Sequence, residues 1–382
     1  MPVTFNLMED KLEEFQGRSP AVVTFGETMI RDTPADQERL ERTRQVWLSL
    51  GGSEFSVAVM VSRLGIPSGY VTRLPDNPYG WMVRDIAREQ GVNVEHIVWA
   101  DRAEPIGRYL YELGRTPRSG AAWYQRKYSA ASRLGAGMVD WGAALMNARI
   151  FHTTGITFGL SAHSGYERNY LGEAFAEALN AKPPECLVGL DFNYRSTLWG
   201  MEECKRVMTP LIQDGVDILI TTVQDMVRFY GFSSGSITPE TVDREEAFDL
   251  DDRSLRDLMG QVIAYFGLKV LALTMRYPDS QEQQRWESAA LDAEGHYYRS
   301  LAIRPVVLAD RLGGGDAWVG GFYYGLLTEA DPEKALQKGI LVGDAATRLK
   351  QTLMFDLPVI NRAEIQALIH ADEYGGGQWV RR

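Results

Sequence analysis

Apolar positions along the chain change period repeatedly, and those changes mark out its elements. Residues 21–25 (AVVTF) are a short continuous apolar run ended by Gly26, which predicts a strand buried on both faces. Gly51 and Gly52 then precede SEFSVAVMVSRLG, where Phe55, Val59, Val61 and Leu64 recur near helical spacing and Gly65 stands at a C-cap position. A strand at 69–73, a turn at 75–78 and a helix over 79–90 follow. After Asp140 the pattern predicts helix 141–147, strand 148–155, helix 163–181, strand 186–192, helix 201–213 and strand 216–221. A helix over 253–266 leads to a strand over 268–275, and short strands are expected near 287–291 and 296–301. Residues 305–310 (PVVLAD) then deliver the chain to ADRLGGGDAWVGGF at 309–322, with helices beyond. Strands alternating with helices of this length predict an α/β fold with a mostly parallel sheet covered on both faces. Ligands in such sheets bind beyond the carboxyl ends of the strands, which brings Gly51, Gly52 and residues 191–195, 274–276 and 313–316 to one rim.

Two stretches interrupt the alternation. Residues 31–50 are polar and charged with few apolar positions, which predicts an edge strand or flap outside the core. Residues 106–128 carry IGRYLYEL and AAWYQRKY on either side of GRTPRSG, the pattern of a hairpin that projects and covers something. The hairpin reads as a lid, and the length allows two domains or one large α/β domain with an accessory element. Residues 1–20 read as an N-terminal arm, 231–252 as a polar surface loop and 373–382 as a flexible tail.

Composition narrows the partners. The chain has 382 residues, 45% of them hydrophobic, and a formal charge of -11. That balance argues against nucleic acid or an anionic membrane as the main partner, since both need a basic footprint. No apolar run reaches membrane-spanning length and the start lacks a signal-peptide core, so a cytoplasmic protein is expected. Cys186 and Cys204 have no zinc-ligand spacing, and the five histidines have no HExxH-like context.

Candidate chemistry gathers at 309–322. Gly313, Gly314 and Gly315 let the backbone approach a ligand closely, and their N–H groups join the unpaired donors of a helix N-terminus, which makes an anion site. Asp316 beside it can act as a base, although read alone it serves as readily as a helix cap. In DFNYRSTLW (191–199), Asp191, Asn193 and Arg195 fall at alternate positions just after a strand, facing the rim. Tyr124 and Arg126 share a strand face that Tyr109 can meet across the hairpin. No GxxxxGK[ST] occurs, and no GxGxxG follows the first strand.

Taken together these motifs resemble the ribokinase-like (PfkB) carbohydrate kinases, and within them the 2-keto-3-deoxygluconate kinases. DRLGGGDAW is similar to the family's DTxGAGDxF, GGSEFSVAV to GG(A)ExNVAV and DFNYRSTLW to DxNxRxxLW; GETM, RLPDNPYG, Tyr124 to Ala130 and TMR at 274–276 also match. The resemblance implies one domain over 21–372, a three-layer α/β/α sandwich with a small β lid that the two excursions, about 31–50 and 104–129, build and that serves for homodimerisation. It implies that Asp316 takes the proton of a sugar hydroxyl attacking the γ-phosphate of ATP while Gly313, Gly314 and Gly315 steady the developing charge. Implied substrate contacts are Gly51, Gly52, Ser56, Tyr109, Tyr124, Arg126 and Arg195. Asn193, Thr274, Arg276, Gly313 and Gly315 correspond to the ATP side, and Asp225 to an indirect Mg²⁺ contact.

Three positions depart from the family pattern. Ser56 replaces Asn, Thr222 and Asp225 replace the NxxE pair, and residues 280–285 form an unusual polar tract. Arg126 and Arg195 favour an acid sugar, since each charge-assisted hydrogen bond to a carboxylate contributes roughly 1.5 to 3 kcal/mol; fructose or ribose would leave both cations uncompensated. The alternatives are a kinase for fructose or 5-dehydro-2-deoxygluconate, and a sugar-binding regulatory protein without catalysis.

Overall fold

Parallel strands rich in branched apolar residues organise the chain, as their near-continuous burial requires. The computed structural model describes residues 5–15, 17, 19–243, 250–278, 280, 282–300 and 305–374. In spatial order Val270–Pro278, Ile218–Thr221, Leu187–Asp191, Ile150–Thr154, Val22–Phe25, Ser68–Val71 and Val92–Asn93 lie side by side, all parallel. Gln283–Asp292 and Tyr297–Arg299 extend this sheet antiparallel beyond Val270–Pro278. Helices cover both faces: Trp141, Phe158, Phe175, Met208 and Leu258 pack in one layer, and Met60, Trp318, Phe322 and Ile340 in the other. Each such side chain contributes about 1.5 to 3 kcal/mol by leaving water. The expected three-layer α/β/α sandwich is therefore present.

A smaller sheet stands beside it, in the order Val46–Gly51, Met29–Pro34, Gly107–Glu112 and Ala121–Gln125. Its middle pair is parallel and its outer pairs antiparallel. Burial within it departs from the sequence expectation: Met29–Pro34 is buried along its whole length, charged Arg31 and Asp32 included. Charge excluded these residues from the predicted core, but Arg31 pairs with Asp310 and Asp356, whose distance in sequence hides them from a local reading.

Other boundaries shift for identifiable reasons. The helix expected over 163–181 is two, Gly155–Ser164 and Tyr170–Ala181; Gly165 ends the first in a left-handed conformation and the Asn169 side chain caps the second. Part of the insertion at 231–252 is core rather than surface loop, because Ile237, Val242 and Leu250 are buried against the helix layer. A helix at Val223–Tyr230 was not anticipated; the Thr222 hydroxyl accepts from the Asp225 N–H at 3.1 Å and starts it. The strand expected at 287–291 runs over Gln283–Asp292. Leu7, Leu12 and Phe15 of the arm pack under the outer helices, and Asp10 receives the buried Lys338 ammonium at 2.6 Å. Residues 375–382 of the expected tail lie outside the described residues. Both cysteines are buried and free. Among the described residues no helix is long and apolar enough to cross a membrane.

Candidate active site

Two helix N-termini meet at Asp316. Gly313 caps helix Gly314–Thr328 at φ 76°, and a Cβ there would lie 2.0 Å from the Asp356 carbonyl oxygen, so both backbone and space require glycine. Gly52 caps helix Ser53–Arg63, where a Cβ would lie 2.5 Å from the Glu27 carbonyl oxygen. Between these ends the Ser53 hydroxyl donates to Asp316 Oδ1 at 2.5 Å, and Asn193 Nδ2 donates to Ser53 Oγ at 3.3 Å. Asn193 itself holds φ 39°, a left-handed conformation that asparagine tolerates better than most residues. Burial raises the Asp316 pKa, the Ser53 hydrogen bond opposes that, and the nearby Asp356 charge adds to it.

A cavity of about 110 Å³ opens in front of Asp316. Gly52, Tyr109, Tyr124, Arg126, Asn193, Arg195, Gly313 and Asp316, all expected at the site, line it. Tyr109 and Tyr124 stack with ring centroids 5.5 Å apart, and the Tyr109 hydroxyl donates to Asp356 Oδ2 at 2.8 Å. Gly51 stands behind this wall, where a Cβ would meet the Tyr109 hydroxyl at 2.2 Å. Gly314 and Gly315 form the first turn of the following helix; the Gly314 carbonyl accepts from Thr347 Oγ1 at 2.6 Å.

Three expectations change. Ser56 does not line the cavity: it is fully buried in its helix, and among the described residues its hydroxyl has no hydrogen-bond partner. One turn earlier, Ser53 reaches the site instead. Arg126 is not an uncompensated cation, because Glu27 Oε2 lies 2.5 Å from its Nη2 and 2.8 Å from its Nε. Both side chains are buried, and a guanidinium at that depth needs a fixed counter-charge. Arg195 is exposed, donates only to the Tyr194 carbonyl at 2.9 Å, and among the described residues closes no ion pair. It is the open cation of the cavity. Asp225 joins the cap of its own helix, accepting from Thr222 Oγ1 at 2.8 Å.

Thr274 and Arg276 lie on the strand Val270–Pro278, and neither lines this cavity. Arg276 nonetheless interacts electrostatically with Arg195, Asp191, Asp225 and Asp316. Burial pushes the Asp191 carboxyl up to about 7, helped by the Asp316 charge and opposed by Arg195; burial also raises Asp225. Among the described residues no group of three or more histidine, cysteine or carboxylate side chains is placed to hold a metal ion.

Several site residues went unnamed in the sequence reading. Glu27, from the GETM match, and Glu54, which accepts from Thr154 Oγ1 at 2.6 Å and Thr157 Oγ1 at 2.7 Å, line the cavity. Ser53 and Glu54 followed directly on a recognised Gly-Gly. Asp356, also on the wall, carries no local signal, since it lies in a loop 40 residues beyond Asp316.

The arrangement combines a carboxylate, helix N-terminal donors and, among the described residues, one open guanidinium, a set suited to deprotonating a hydroxyl beside an anion. Residues 19–247 match the family described as pfkB family carbohydrate kinase. A 2-dehydro-3-deoxygalactonokinase of Haloferax volcanii is 29% identical over 93% of this chain and 98% of its own length. A 2-dehydro-3-deoxygluconokinase of Thermoproteus tenax is 27% identical over 85% and 89%. The crystal structure of 2-dehydro-3-deoxygluconokinase from Thermotoga maritima superposes with a TM-score of 0.80 at 30% identity, covering 92% of this chain and 99% of that one.

Proposed function

The chain belongs to the pfkB family of carbohydrate kinases, and from that premise we propose that it transfers the γ-phosphate of ATP to the terminal hydroxyl of 2-keto-3-deoxygluconate or a closely related keto-acid sugar. The observation that carries the reading is Asp316, set between two helix N-termini at the floor of a cavity whose one open cation among the described residues is Arg195. Ser53 holds one carboxylate oxygen, so the other is left to take the proton of the attacking hydroxyl. Little covalent work falls to the protein in phosphoryl transfer, and positioning with electrostatic stabilisation supplies the rate. The N-terminal end of helix Gly314–Thr328 gives the donors for the developing charge. Arg195 orients the acid sugar through its carboxylate. The names of the relatives support the same substrate class.

Asp191 and Asp225 offer the hard oxygen donors that Mg²⁺ prefers, too few for a resident ion but suited to one that enters with the nucleotide. Mg²⁺ would offset the phosphate charge there. The small sheet serves as the lid and as a homodimer interface, since its edge strand Val46–Gly51 exposes Val46, Trp47 and Leu48 and its far strand exposes Trp123. The reading is that of a cytoplasmic enzyme.

A neutral acceptor such as fructose is the second reading, favoured by the closure of Arg126 on Glu27. ATP consumption measured in parallel with 2-keto-3-deoxygluconate, its galactonate epimer, 5-dehydro-2-deoxygluconate and fructose separates the two. Turnover is expected to be highest with 2-keto-3-deoxygluconate or its galactonate epimer; preference for 5-dehydro-2-deoxygluconate would move the assignment to that alternative, preference for fructose would overturn the acid-sugar reading, and sugar binding without any turnover would point to a regulatory protein.

A further inference from the structure

Arg31 is a fully buried guanidinium at the centre of the small sheet, and the proposed chemistry does not use it. Nη1 lies 2.5 Å from Asp356 Oδ1, Nη2 lies 2.5 Å from Asp310 Oδ2, and Nε donates to Thr33 Oγ1 at 2.8 Å. Its plane lies over the Tyr111 ring at 4.6 Å from the centroid. Burial works against its charge, and Asp356 and Asp310 more than restore it.

The two carboxylates have different duties. Asp356 lines the 110 Å³ cavity and its second oxygen takes the Tyr109 hydroxyl at 2.8 Å. Asp310 lies six residues before Asp316, accepts from the Leu312 N–H at 3.1 Å, and so shapes the entry to the glycine loop. It also lines a separate cavity of about 390 Å³, together with Tyr111, Arg311 and Glu282. One guanidinium thus ties the wall of the acceptor cavity to the loop that carries the base.

We propose that Arg31 is a positioning residue: by bridging Asp310 and Asp356 it holds the Tyr109 wall and the glycine loop in register, so that an acceptor hydroxyl meets Asp316. The bridge needs the planar two-pronged geometry of arginine, which one ammonium cannot reproduce. The argument rests on the kinase reading of Asp316, not on which sugar is taken.

The test compares wild type, Arg31→Met, Arg31→Lys and Arg31→Ala on whichever sugar of the panel above the wild type phosphorylates. A wild type that prefers fructose removes the acid-sugar reading and leaves the Arg31 comparison intact. With melting curves confirming folded protein, Arg31→Met is expected to lose about 10²-fold in kcat/KM for the sugar, the scale of a misplacement near 1 Å. The Michaelis constant for ATP is expected to stay near the wild-type value. Arg31→Lys, which keeps the charge should Arg31→Met fail to fold, is expected to remain well below wild type. Guanidinium ion at sub-denaturing concentration is expected to restore part of the activity of Arg31→Ala. Wild-type kcat/KM in Arg31→Lys or Arg31→Met overturns the proposal, as does a loss that follows only the folded fraction and is not relieved by guanidinium.

Discussion

The two sides of the cavity carry charge in opposite ways. Among the described residues the buried charges on the small-sheet side are closed: Glu27 with Arg126, Arg31 with Asp310 and Asp356, Asp32 with Arg108, and Glu112 with Arg118. On the side formed by the strand ends, Asp191 and Asp225 are carboxylates pushed up by burial. There Arg195 and Arg276 close no ion pair among the described residues. Pairing in the interior holds a geometry but leaves little free energy for a ligand, because each charge is already compensated. Open charge does the reverse. On the proposed function the closed side shapes and the open side binds, and Asp316, the proposed base, lines the cavity where they meet.

The largest effect expected is at that junction. Asp316→Asn should lower turnover by roughly 10² to 10⁴, while calorimetry still detects sugar binding. Turnover near the wild-type level would take Asp316 out of the chemistry. Next comes the closed side: Glu27→Gln leaves Arg126 buried without its counter-charge, and breaking such a pair costs about 3 to 5 kcal/mol. Urea unfolding measures it. A loss below about 1 kcal/mol, the scale of a surface pair, would show that the wall is not closed in solution.

On the open side, Arg195→Ala should cost the acid sugar roughly 1.5 to 3 kcal/mol of binding and leave a neutral sugar far less affected. Arg126→Ala should harm acid and neutral sugars alike, because it dismantles the wall rather than a carboxylate contact. If Arg126→Ala is the variant selective for the acid sugar, the division between the two sides is wrong.

That division also separates what the sequence displays from what it conceals. The parallel sheet, the rim and the glycine loop rest on local signals: a continuous apolar run such as residues 21–25, or a Gly cluster before an amphipathic helix. Open residues such as Arg195 and Asn193 were legible for the same reason, since they follow directly on a strand. Closed residues were not. Arg31 reads as surface until Asp310 and Asp356 are known to surround it, and Arg126 reads as a free cation until Glu27 folds onto it. Polar residues paired across 99 to 325 positions leave no periodicity. Ser56 misled in the opposite direction: motif register assigned it to the substrate, while helical geometry turns it inward and presents Ser53.

The smallest effect expected is in pH dependence. Burial, then the Asp316 charge, push the Asp191 carboxyl from 3.8 up to about 7. The folded chain therefore holds this proton over a range where the unfolded chain has released it. Its contribution to stability is complete below the unfolded value and is lost as pH rises through about 7. Melting temperature without metal or nucleotide should thus fall across that interval, and Asp191→Asn should flatten part of the slope. Only part is expected, because Glu54, Asp225, Asp316 and Asp356 are raised as well and act with the same sign. Asp356 is the decisive control, since Arg31 already draws its pKa down against burial. Should Asp356→Asn remove more of the slope than Asp191→Asn, the closed side would be carrying uncompensated charge, and the contrast between shaping and binding walls would not hold.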